Sequence, residues 1–222
     1  MDDINSKRIS IFCGHYGSGK TNIAVNYAFD LRNNYEKVAV CDLDIVNPYF
    51  RTKDSEEEFL KADIKFISSS YANSNVDIPA LPQEIYSVTD DKSYKFVLDI
   101  GGDDRGATAL GRIAGAILEE DDYEMFFVTN MYRPLTLDAN SAVEIMREIE
   151  AICKLKFTAI INNSNLGRET TPNDILDSLS YAEEISKITS LPIKFTTVCS
   201  DISDGLTAKI NNLYSINLQK KI

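Results

Sequence analysis

The segment Gly14-His15-Tyr16-Gly17-Ser18-Gly19-Lys20-Thr21 decides how this chain is read. Its spacing is glycine, four residues, glycine, lysine, then serine or threonine, the Walker A form of a phosphate-binding loop. Glycines let the backbone turn tightly enough to aim successive amides at phosphate oxygens. The loop follows an apolar run, Ile9 to Cys13, and opens a helical stretch whose positive N-terminal end falls on the same phosphates. In this setting Lys20 is expected at the β and γ phosphates, and the Thr21 hydroxyl on magnesium. The expected ligand is ATP or GTP with Mg2+.

Working outward, further apolar runs of strand length follow: Val38 to Cys41, Ile64 to Ile67, Phe96 to Ile100, Met125 to Thr129, Phe157 to Ile161 and Ile193 to Val198. Most lack polar alternation, as strands buried on both faces do. Between them lie stretches of helical period. These are Thr21 to Leu31, Ala107 to Leu118, Leu137 to Ile152 with Ile145, Ile149 and Ile152 on one face, and Pro172 to Ile188. The last opens with Thr171 as cap, Pro172 in the first turn and Asp174 three residues after the cap. Its stripe is Ile175, Leu179, Ala182, Ile185 and Ile188. Strands alternating with helices predict an α/β fold, doubly wound, with a mostly parallel sheet of about seven strands and helices on both faces. With no linker, repeat or low-complexity segment, residues 1–222 read as a single domain.

Phosphoryl chemistry also needs carboxylates to hold magnesium and orient the attacking group. Phe96-Val97-Leu98-Asp99 is an apolar strand ending in an acid, the Walker B form, and assigns Asp99 to the metal. Gly102 follows three positions later, a spacing suited to a switch whose amide reaches the γ phosphate. The second strand ends Asp42-Leu43-Asp44, at the sheet edge where such folds bind ligands. Asp44 is the candidate for positioning the attacking water or hydroxyl, and Asp42 for the magnesium shell.

These features together resemble the MinD/ParA branch of P-loop proteins, which also holds CobQ- and dethiobiotin-synthetase-like enzymes. The resemblance spans most of the chain and rests on Gly14 to Thr21, Asp42-Leu43-Asp44, Asp99 to Gly102, and Val128-Thr129-Asn130 with the helix beginning near Asp138-Ala139. It implies ATP with magnesium, a homodimer with nucleotide at the interface, and a nucleotide state that acts on a protein partner. It also implies that Asn162, ending Ile160-Ile161-Asn162, reads the base, and that the loop near Ser200 and Asp201 closes over it. One position departs: where the family carries a second, signature lysine after the first glycine, this chain has His15, its only histidine. Neutral imidazole supplies no permanent charge. Arg105 and Arg51 are candidates to replace it, although Arg105 stands beside Asp103 and Asp104 and reads more simply as their ion-pair partner.

Composition bounds the rest. A net charge of -11, from 23 basic and 34 acidic residues, argues against nucleic acid or anionic lipid as partner. No run of eighteen apolar residues is present, and Met1 to Arg8 is polar, so the expectation is a cytoplasmic protein with no stable membrane anchor. Cys13, Cys41, Cys153 and Cys199 have no metal or redox spacing and read as reduced thiols, three of them closing strands. Leu206 to Ile222, with Lys209, Lys220 and Lys221, reads as a helix packed on the domain. The leading function is a slow ATPase acting as a nucleotide switch on a protein partner. One alternative is a small-molecule synthetase with Ser68 to Pro82 as a substrate wall, and another is a sensor that binds without hydrolysing.

Overall fold

Ile9, Ile11 and Cys13 face one side of the central strand and Ser10 and Phe12 the other, and all five are buried. That is what a period-2 backbone does with an apolar run covered on both faces. The computed structural model describes residues 6–44, 52–68, 83–102 and 104–218. Within them the strands are β1 (Ile9–Cys13), β2 (Val38–Leu43), β3 (Lys65–Ser68), β4 (Lys95–Ile100), β5 (Tyr123–Thr129), β6 (Ala159–Asn162), β7 (Ile193–Cys199) and β8 (Leu213–Ile216). They form one sheet in the order β3-β2-β4-β1-β5-β6-β7-β8, with every pairing parallel. The helices are α1 (Lys20–Asn34), α2 (Glu56–Lys61), α3 (Ser87–Asp90), α4 (Asp104–Gly111), α5 (Ala114–Glu120), α6 (Ala139–Cys153), α7 (Pro172–Asp177) and α8 (Leu179–Thr189).

The sheet separates two apolar layers. On one face α1 lays Ile23, Tyr27 and Leu31 on Phe12, Val40 and Phe126. The Phe12 ring centroid lies 5.2 Å from that of Tyr27 and 5.1 Å from that of Phe126. Trimming Phe12 to alanine would remove this junction, at about 3–5 kcal/mol. On the other face α4, α5, α6 and α8 contribute Leu110, Ile117, Met146 and Ile185 against Ile11, Leu98 and Phe127. Helices on both faces of a parallel sheet are the doubly wound arrangement expected.

Several details depart from expectation. The sheet has eight strands rather than about seven. The eighth, Leu213–Ile216, lies in the stretch read as a C-terminal helix, where Tyr214 and Ile216 turn inward and Ser215 outward. Only the last residues of that stretch, 219–222, with Lys220 and Lys221, lie outside the described residues. The helix read over Ala107 to Leu118 is two, α4 and α5, parted at Arg112 and Ile113. The stretch after Thr171 is also two, α7 and α8, joined at Ser178. Its capping box forms as read, the Thr171 hydroxyl and the Asp174 carboxylate each bonding the other's backbone. Ile188, placed in the stripe, is 45% exposed. In α6, Ile149 is buried while Ile145 and Ile152 pack at the margin of the core.

Sheet order sets the site. The chain runs from β1 out to β2 and β3, returns to β4 beside β1, and then proceeds from β5 away on the other side. The C-terminal end of β1 is thus flanked by strands whose connections leave in opposite directions, the crevice where open α/β sheets hold ligands.

Candidate phosphate and metal site

Gly14 through Gly19 link β1 to α1, so Lys20 and Thr21 open the helix with its unpaired amides beside them. Gly19 has φ +85°, and a side chain there would collide with the amide of Asn163. The loop conformation therefore depends on glycine at this position. Ser18 Oγ is buried without a hydrogen-bond partner among the described residues.

Lys20 Nζ lies 3.1 Å from Asp44 Oδ2, with the two side chains 3% and 4% exposed. Burial alone would disfavour the ammonium, but Asp44 and then Asp99 outweigh it, and the Lys20 pKa stands above its ordinary value. The Asp44 amide in turn donates to Asp42 Oδ1 at 3.0 Å, so Asp42 orients the residue that faces Lys20. Asp42 and Asp99 are register partners on β2 and β4.

Asp99 is fully buried. Its Oδ2 accepts from Thr21 Oγ1 and from Thr52 Oγ1, each at 2.7 Å, and its Oδ1 has no hydrogen-bond partner among the described residues. Burial raises the Asp99 pKa above the usual carboxylate range; Lys20 opposes that, Asp44 adds to it, and the two threonine bonds oppose it. A buried carboxylate with one oxygen unpaired, touching the threonine of the phosphate loop, has the chemistry of a hard-cation site. No cluster of three or more His, Cys, Asp or Glu able to cage a metal occurs among the described residues. The set matches Mg2+ held by one or two protein groups plus phosphate oxygens, the usual way proteins bind it with nucleotide.

Gly102 packs on the phosphate loop: a Cβ there would come within 2.7 Å of the Tyr16 nitrogen and 2.8 Å of the His15 carbonyl carbon. Only glycine permits this approach. His15 Nδ1 bonds its neighbour's carbonyl, Tyr16 O, at 2.9 Å, and Tyr16 is 53% exposed.

Other expected residues are placed differently. Asn162 is not presented to a ligand cleft, being fully buried, with Nδ2 donating to Ser178 Oγ at 2.9 Å and Oδ1 accepting from Ser164 Oγ at 2.7 Å. Its neighbour Asn163 faces the loop instead, donating to the Ser18 carbonyl at 2.5 Å and accepting from Thr197 Oγ1. Adjacent residues at a strand end face opposite ways, so a shift of one residue decides which asparagine meets the loop. Arg105 is exposed and makes no ion pair among the described residues, because neighbours in sequence such as Asp104 do not face each other on a helix. Asp103, Arg51 and residues 69–82 of the Ser68 to Pro82 stretch lie outside the described residues.

Three contacts were not anticipated: Thr52 on Asp99, Asn163 on Ser18, and Arg133, whose Nε donates to the Gly17 carbonyl at 2.8 Å. Beside Asn163 is a narrow cleft whose lining includes the polar Asn165, Thr197 and Cys199 and the apolar Ile175, Val198 and Ile216. Among the four cysteines, Cys13, Cys41 and Cys153 are buried and only Cys199 is partly exposed. Burial pushes the Cys13 and Cys41 thiols up to about 12.

The fold has solved counterparts. FtsY from Mycoplasma mycoides superposes with a TM-score of 0.55 at 19% identity, over 88% of this chain and 62% of that one. The signal recognition particle 54 kDa protein of Aeropyrum pernix, solved with GDP, gives 0.53 at 18%, over 88% and 42%. FtsY from Elizabethkingia anophelis gives 0.51 at 14%, over 86% and 59%. The chain spans less than two thirds of the length of these structures. At such identities the likeness shows the fold alone, a parallel α/β sheet with helices on both faces. No family model and no curated protein sequence matches the chain. No helix among the described residues is long and apolar enough to cross a membrane.

Proposed function

We propose that this chain binds a nucleoside triphosphate with magnesium at Gly14 to Thr21 and hydrolyses its terminal phosphate slowly. The observation that carries the reading is the joined set Lys20–Asp44 and Thr21–Asp99–Thr52 at the mouth of one glycine-rich loop. A turn built only for structure has no use for three buried acids and a buried lysine, each costly to desolvate. Loop amides and the start of α1 receive the β and γ phosphate oxygens, and the Lys20 ammonium exchanges Asp44 for them. Freed of that pairing, the Asp44 carboxylate orients a water for in-line attack on the γ phosphorus. The bond to the β–γ bridging oxygen breaks, giving nucleoside diphosphate and inorganic phosphate. Thr21, Asp99 and Asp42 are the residues that would hold magnesium, which would supply positive charge against the phosphate oxygens. Gly102, already against the loop, is the position from which a backbone amide would sense the γ phosphate.

The base is proposed to bind beside Asn163, where the cleft, about 20 Å³ in volume, has to widen to admit it. ATP is favoured by the MinD/ParA resemblance, which also supports a homodimer and a protein partner that reads the nucleotide state. Asn162 as the base reader would require its internal bonds to Ser178 and Ser164 to be exchanged. Binding of ATP, ADP, GTP and GDP to the purified chain, with and without Mg2+, tests the reading. Micromolar binding of one purine series, lost in Lys20→Ala, supports it, and absence of binding to all four overturns it.

A further inference from the structure

The loop has His15 where the resemblance places a second lysine, and its own Lys20 is already paired with Asp44. A second cation nevertheless reaches the loop, from the turn that follows β5. Arg133 is half-buried, and its Nε donates to the Gly17 carbonyl at 2.8 Å. The Arg133 Cζ comes to 4.0 Å of the position a Gly17 Cβ would take, so the guanidinium lies along the phosphate loop.

The turn that carries Arg133 is fixed by more bonds than a surface connection needs. Asn130 is fully buried, and its Oδ1 accepts from the Tyr132 amide at 2.9 Å and the Asn165 amide at 3.3 Å. Its Nδ2 donates to the Asn165 carbonyl at 3.1 Å, and its own carbonyl accepts from Thr136 Oγ1 at 2.7 Å and the Arg133 amide at 3.2 Å. The Tyr132 hydroxyl donates to the Asp174 carbonyl at 2.9 Å, and Pro134 holds the residue before it extended, as Arg133 is. The backbone of Arg133 is thus braced on both sides. Its side chain, by contrast, uses one donor of five, since the terminal nitrogens make no hydrogen bond or ion pair among the described residues.

We propose that Arg133 is a built-in phosphate ligand, whose terminal guanidinium nitrogens bond the terminal phosphate of a nucleotide in the Gly14 to Thr21 loop. It supplies within one chain the charge that His15 does not, and it makes the loop prefer triphosphate over diphosphate. The inference rests on the nucleotide reading above. A planar guanidinium suits this task, because it forms paired, charge-assisted bonds with phosphate.

The test uses Arg133→Gln. Glutamine Nε2 occupies the same place along the side chain as arginine Nε, so the Gly17 bond is kept while the charged nitrogens are removed. Arg133→Lys keeps a charge and loses that bond. Binding of ADP and of a non-hydrolysable ATP analogue (or the guanine pair, if that series binds) is measured with Mg2+, with thermal unfolding and phosphate release alongside. Arg133→Gln is expected to melt like the wild type and bind diphosphate normally. It should lose triphosphate affinity roughly tenfold to a hundredfold, with phosphate release falling in step, since one or two charge-assisted bonds are gone. Arg133→Lys should retain part of the triphosphate preference. A wild-type ratio of triphosphate to diphosphate affinity in Arg133→Gln overturns the proposal and leaves Arg133 a brace for Gly17. If the wild type binds neither nucleotide, the nucleotide reading itself falls, and the proposal with it.

Discussion

Lys20 and Asp44 form a buried ion pair at 3.1 Å, and the lysine in it is the one the phosphate loop would turn toward phosphate. In the proposed reaction the ammonium and the water-orienting carboxylate share one interaction, so engaging Lys20 with phosphate would release Asp44 for chemistry. The two residues then have opposite signatures in binding.

Asp44→Asn should bind nucleotide as tightly as the wild type or more tightly, because Lys20 no longer exchanges a partner, while phosphate release falls by more than about tenfold. Lys20→Ala should lose affinity and release together. Parallel calorimetry and phosphate-release assays on both variants check this, and a shared loss of affinity would contradict it.

Burial favours the neutral form of Asp99 and raises its pKa, with Lys20 and the two threonine bonds opposing the rise. Its folded pKa is raised above the ordinary 3.8, so any stability its protonation state contributes is present below that value and lost as pH rises through the folded pKa. Asp99→Asn removes the cost of the charge. The variant should melt higher than wild type at pH 7, with the difference shrinking as pH approaches 4, and should lose the Mg2+ dependence of nucleotide binding. Equal melting temperatures across that range would refute it.

Thr52 is fully buried and donates to the same Asp99 oxygen as Thr21. Thr52→Val keeps the shape and deletes the donor, and should cost about 1–3 kcal/mol by chemical denaturation at pH 7. Thr52→Ser should recover most of it. Failure of serine to recover stability would assign the loss to packing of the methyl group.

Cys199 is the one partly exposed thiol of four and lines the cleft beside Asn163. A thiol reagent should modify one cysteine of the native protein rapidly, identified as Cys199 by mass spectrometry. A bound nucleotide whose base enters that cleft should slow the reaction, and an unchanged rate under saturating nucleotide would place the base elsewhere.

What was legible in the sequence was what is local. Gly14 to Thr21 is contiguous, and each residue type has its own reason to be there; the acids Asp42, Asp44 and Asp99 end apolar runs whose place in a parallel sheet follows from strand–helix alternation. The structure sets Asp44 against Lys20 and Asp99 against Thr21, with Asp42 bonding the Asp44 amide. Contacts across sequence left no such trace. Arg133 meets Gly17 from 116 positions away, and Thr52 meets Asp99 from 47. The sequence pointed to Asn162, but run length at the end of β6 does not fix which side chain faces the loop, and Asn163 is the one that bonds Ser18. β8 is four residues long with two of them buried, too short for its alternation to outweigh the reading of a terminal helix.

Phosphate release from ATP and from GTP with Mg2+, by wild type beside Lys20→Ala, tests the central claim most directly. The account predicts slow release from one of the two by the wild type and none by Lys20→Ala. Release that persists in Lys20→Ala, or a wild type that neither binds nor hydrolyses either nucleotide, would contradict it.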